Sequence, residues 1–121
     1  MSMVPESEMI EDLVEDYVEH VQVDYVGLWM IAATVRDTFE LHDNRAVRDK
    51  TLEVVKGLLE QGLRPGDYLG GTDFTPWKEK DPAAILARIE REWNPANGDP
   101  DLGDSSCWFD MDPVHKKDDR A

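Results

Sequence analysis

The sequence predicts an α+β domain of about four helices around one core, with a small two- or three-stranded antiparallel sheet. Three observations lead there. Apolar residues recur at helical spacing in four separate stretches. Two short stretches, at Tyr68–Leu69 and in SSCWFDM, read as strands, the second by its alternation. The length of 121 residues at 40% hydrophobic supplies material for one core and not two. A single globular domain over 1–112 follows, beginning with an acidic amphipathic helix. The charged run HKKDDRA predicts a disordered tail over 113–121.

The first helix is expected at about 5–20. Met9, Ile10, Leu13, Val14, Tyr17, Val18 and Val21 form its stripe, Pro5 suits the first turn, and the other face is almost wholly Glu and Asp. Asp24 is placed to cap a second helix at about 25–40. That helix is apolar on nearly every side, from Tyr25 to Phe39, which assigns it the centre of the domain. Gly27 near its start allows close approach of another element. Asp43 or Asn44 caps a third helix at about 45–61, with Val47, Thr51, Leu52, Val54, Val55, Leu58 and Leu59 at helical spacing. Gly62 fits the left-handed residue that ends it.

RPGD, at 64–67, carries the signature of a type II turn, with a short strand at Tyr68–Leu69 after it. GGTDFTPW reads as a loop from which Phe74 and Trp77 fold back onto the core. In DPAAILARIEREW, Asp81 is an N-cap, Pro82 a first-turn proline, and Ile85, Leu86, Ile89 and Trp93 the apolar stripe. NPANGDPDLGD is a turn-rich loop. SSCWFDM follows as a strand with Cys107 and Phe109 on one face and Trp108 on the other.

Charge is the strongest functional signal. The net formal charge is −14, and residues 1–35 hold eight acids and no Lys or Arg. Such a field repels phosphate backbones and anionic membranes and attracts basic partners. Within the first helix, Glu8–Asp12, Glu11–Glu15, Asp12–Asp16 and Glu15–Glu19 are like-charged i, i+4 pairs. Each such pair destabilises an isolated helix by about 0.2–0.5 kcal/mol. Either the stripe is a solvated face, or it meets a basic surface. The candidate partner-binding residues are therefore Glu8, Glu11, Asp12, Glu15, Asp16 and Glu19. The chain also has four tryptophans. Trp77, in a loop after Pro76, is the candidate for an exposed interface anchor.

Other chemistries find little support. One cysteine, Cys107, allows neither an internal disulfide nor a Cys-based zinc site, and its apolar strand suggests a buried thiol. This usage fits a cytoplasmic location. His20, His42 and His115 are scattered. Asn97, Asp99, Asp101 and Asp104 open like a calcium loop, but Leu102 and Trp108 stand where glycine and an acid are required. No nucleophile elbow, phosphate loop or dinucleotide fingerprint occurs. The longest apolar run, YVGLWMIAATV, has eleven residues, short of the roughly 20 a membrane helix needs. The expectation is thus no catalytic residues, no cofactor, no metal, no nucleic acid and no membrane.

Helix, turn and strand over 44–71 also occur in winged DNA-binding domains, so a degenerate winged-helix regulator is the alternative. Residues 44–64 carry five bases against three acids, a net +2 inside a molecule of −14. An enzyme of unknown type ranks below both. GLW in a hydrophobic helix, TLEVVKGLLEQGL ending in a glycine turn, and EREW followed by CWF together resemble a group of small uncharacterised bacterial proteins. Some of that group look like immunity proteins encoded beside toxins. The similarity covers roughly 24–111, and its motifs are core residues and turn glycines. The resemblance implies a fold and, through those members, an immunity-like or regulatory binding role. A basic protein partner is the expectation, with a homodimer through the first helix as a further option.

Overall fold

The computed structural model describes residues 5–69, 73–98, 100 and 107–111. The chain runs α1 (Glu6–His20), β1 (Val26–Gly27), α2 (Leu28–Thr38), α3 (Asn44–Glu60), β2 (Leu63–Leu69), β3 (Asp73–Pro76), α4 (Pro82–Glu92), a 3-10 turn (Pro95–Asn97) and β4 (Trp108–Met111). The α+β class with four helices is the observed architecture. The antiparallel sheet has four strands in the order β1-β4-β2-β3, more than the two or three expected. The tail at 113–121 and most of the DPDLGD loop lie outside the described residues.

Three local readings give way to strand pairing. The chain at Val26–Gly27 is extended, paired with Phe109 and Trp108, so α2 starts at Leu28 and not at 25. Asp24 does not cap α2; its carboxylate accepts from the Tyr25 amide at 2.8 Å, while Gly27 is the residue before the first turn. RPGD is likewise no turn but the middle of β2. Pro65 stands opposite Phe109, and Gly66 lies between Trp108 and Pro76. Proline's fixed φ and glycine's freedom suit an extended chain as well as a turn. The partners on both sides decide between them. Residues 73–76, read as loop, are β3 for the same reason.

At α3 and α4 the local signals near helix ends hold. Asp43 accepts from the Ala46 amide at 3.0 Å and Asp81 from the Ala84 amide at 3.2 Å, each satisfying an otherwise orphaned N–H. Gly62, at φ 98°, follows α3 in the left-handed region.

The centre of the domain is α3, not α2. It touches α1, α2, α4, β2 and the 3-10 turn, with Val47, Thr51, Val54, Val55 and Leu58 fully buried. Thr51 fits there because its hydroxyl donates back to the Val47 carbonyl at 2.7 Å. The helix α2 buries Leu28, Ile31, Ala32 and Val35 and leaves Trp29 and Met30 half-buried. Against α3 and the sheet pack Ile85 and Ile89 of α4, Leu63 of β2 and Phe109 of β4.

Candidate functional site: the acidic face and groove of α1

The helix α1 lies on the domain and is not a free arm. Leu13, Val14 and Tyr17 are buried against it. The Tyr17 hydroxyl donates to the Met30 carbonyl at 3.1 Å and shares a 2.7 Å hydrogen bond with the Thr34 hydroxyl, tying α1 to α2. Burial raises the Tyr17 pKa above its ordinary value, against a smaller lowering by Thr34. Leu13, Val14 and Tyr17 of the apolar side are therefore taken up by the chain's own core, while Ile10 and Val18 stay half-buried.

Docking that side turns the carboxylates outward. Glu8, Glu11, Asp12, Glu15, Asp16 and Glu19 are all exposed. None has a cation within ion-pair distance among the described residues. Among the described residues, the base tied to α1 is Lys50 of α3, 2.7 Å from Glu6 and 3.2 Å from Glu53. Its pKa is raised, first by the hydrogen bond to Glu6.

Four of the six predicted acids, Glu11, Glu15, Asp16 and Glu19, border a groove of about 710 Å³ between α1 and α3. Glu8 and Asp12 do not line it. From α3 the groove gains Glu53 and Glu60, so six carboxylates and no basic side chain line it. Its apolar floor is Ile10, Val14, Val18 and Gly57. Gly57 is required there, since a β-carbon at 57 would meet Val14 Cγ2 at 2.6 Å. Glu6 meets Lys50 and Val14 meets Gly57, so the two helices run parallel, with their C-terminal ends side by side. Sequence reading missed Glu53 and Glu60, because only tertiary packing sets α3 beside α1. The signal available was α3's lack of any base in its last turn.

Trp77 is not an exposed anchor. It is 5% exposed, its indole N–H donates to Asp67 at 2.9 Å, and the Arg88 guanidinium sits 3.7 Å from its ring centroid. Its place beside β2 explains the burial: the Trp77 amide donates to the Pro65 carbonyl at 3.0 Å, which carries the ring over the sheet edge. The half-buried tryptophans are Trp29 and Trp108, both of which border Gly27. The Trp29 indole N–H has no hydrogen-bond partner among the described residues.

Cys107 is buried beside β4, and its carbonyl accepts from the Leu28 amide at 3.0 Å. His42 is exposed just before the N-cap of α3. Among the described residues no three His, Cys, Asp or Glu side chains are grouped to hold a metal ion, and no helix is long and apolar enough to cross a membrane. No family model, curated protein or solved structure matches the chain. The resemblance carried by GLW, TLEVVKGLLEQGL and CWF thus rests on those residues alone.

Proposed function

We propose that the protein is a small acidic, non-enzymatic binding module, immunity-like or regulatory, that meets a basic partner protein in the cytoplasm through the carboxylate face of α1. One observation carries this reading. Six exposed acids stand on a helix packed on the domain through Leu13, Val14 and Tyr17, and none is neutralised by a neighbour among the described residues. Repulsion along the row costs stability that a single lysine would relieve, and a basic partner offsets it on binding.

The winged-helix alternative draws on the order α2, α3, β2, β3. A reading helix must present its N-terminal residues to the major groove. The start of α3 instead faces its own chain. Asn44 donates to the Pro95 carbonyl at 3.0 Å and accepts from Arg36 at 2.6 Å, and α4 packs along the same helix. These contacts favour the protein-binding reading.

The test is capture from native lysate at low salt on immobilised wild type and on a variant with E8Q, E11Q, D12N, E15Q, D16N and E19Q. These changes keep the packed face of α1 intact. The expected result is a basic protein retained by wild type, lost from the variant, and released at about 0.5 M salt, where screening shortens electrostatic reach to a few Å. Equal retention by both proteins overturns the proposal. A low-salt gel shift with duplex DNA separates the alternative: salt-sensitive binding there would restore it.

A further inference from the structure

We infer that the groove between α1 and α3 docks a basic amphipathic helix of the partner, with its apolar stripe on Ile10, Val14 and Val18 and its Lys or Arg flanks against the two acidic rims. This rests on the reading of α1 as a partner surface and adds the site, its second wall and the form of the ligand.

The groove has the features that helix-in-groove recognition uses. A purely solvated face has no need of an apolar floor, yet Ile10 and Val18 are half-buried along this one. Acids stand on both sides of that floor, Glu11, Glu15 and Glu19 on α1 and Glu53 and Glu60 on α3. An amphipathic helix matches this order of charge, apolar and charge across its width.

The backbone adds to the field. Each helix C-terminus carries roughly half a negative charge, and the parallel packing sets two of them together at one end of the groove. Glu19 and Glu60 lie at that end. Glu60 is therefore placed against the dipole of its own helix, where a base is the stabilising choice. A cation from outside restores the balance. From Ile10 to Glu19 the groove runs about 13 Å at 1.5 Å per residue, which suits about two and a half turns of a helix.

Competing occupants fit less well. A divalent ion needs converging carboxylates, and no such group occurs among the described residues. A second copy of this chain would bring acidic rim against acidic rim.

The experiment is calorimetric titration at low salt with two designed peptides of about 18 residues, both made of Leu and Lys. One has its leucines on a single helical stripe; the other has the same composition in a shuffled order that breaks the stripe. The proteins are wild type, V18K, E60Q and the six-site α1 variant, each checked for an unchanged circular dichroism spectrum. Val18 is half-buried at the edge of the core and Glu60 is exposed, so neither change replaces a fully buried side chain.

The striped peptide should bind wild type about tenfold more tightly than the shuffled one. V18K should cost about tenfold, and E60Q up to about fivefold. If the two peptides bind alike, or V18K and E60Q change nothing while the six-site variant loses binding, the docking inference fails and the charge reading stands. If the six-site variant binds both peptides as wild type does, the charge reading fails as well. A wild-type dimer in sedimentation that V18K dissolves would assign the groove to a second copy and overturn the inference.

Discussion

Gly57 is where the helix pair can be tested most sharply. Replacing glycine by alanine inside a helix ordinarily stabilises it by about 1 kcal/mol. Here the added β-carbon would sit 2.6 Å from Val14 Cγ2, closer than such atoms approach. Val14 is buried, so relief requires α1 to move or the valine to leave its rotamer. Overpacking of that kind costs about 1–3 kcal/mol. G57A should therefore be less stable than wild type by about 1 kcal/mol, its propensity gain outweighed. V14A alone removes two buried methyl groups and should cost about 2 kcal/mol. In the double variant the clashing carbon is gone, and the remaining Val14 contact, at 3.7 Å to its β-carbon, is ordinary. The double variant should then lie only about 1 kcal/mol below wild type, where additivity predicts about 3. The coupling of about 2 kcal/mol is the measurable quantity, read from urea unfolding of all four proteins. A stabilised G57A with additive behaviour toward V14A would refute close α1–α3 packing and, with it, the shape of the groove.

Three further outcomes follow from the same contacts. Burial raises the Tyr17 pKa in the folded chain above its unfolded value of 10.0, so the stability it lends is complete below pH 10 and is lost as pH rises toward the folded pKa; Y17F should flatten that alkaline decline in pH-dependent unfolding, while costing about 1–2 kcal/mol at neutral pH for the lost hydroxyl. D43A and D81A should each lower stability by about 1 kcal/mol in urea titrations, because each leaves a first-turn amide unpartnered. W77A should cost about 3–5 kcal/mol by the same assay, and R88M about 1 kcal/mol with a change in tryptophan fluorescence, because Arg88 covers the Trp77 ring and joins Glu79 at 2.9 Å and Glu92 at 3.0 Å. A neutral W77A would mean that the ring is not packed on the domain.

The helices were legible because their signals are local. The cap at Asp43, the Asp81–Pro82 start, the glycine after α3 and the apolar stripes all act within a few residues of where they stand. They hold whatever the rest of the chain does. The six outward acids of α1 were legible for the same reason, since period alone separates Leu13, Val14 and Tyr17 from the charged face.

Tertiary structure decided what depends on a distant partner. Val26–Gly27 and Pro65–Gly66 are strand because β4, some 40 residues or more further along the chain, pairs with both. No local propensity carries that information. Loop position left Trp77 open to two readings, folded back onto the core or exposed as an interface anchor; it is packed, since the Pro65 carbonyl and Asp67 hold it to β2. Glu53 and Glu60 belong to the groove only because Gly57 lets α3 close on Val14. Sequence by itself thus determined the α+β class, the helices and the charge of α1, all set by neighbours within a turn or two. The sheet order, the choice between a packed and an exposed Trp77, and the second wall of the groove awaited the fold, because each is a contact between segments whose separation no short-range pattern encodes.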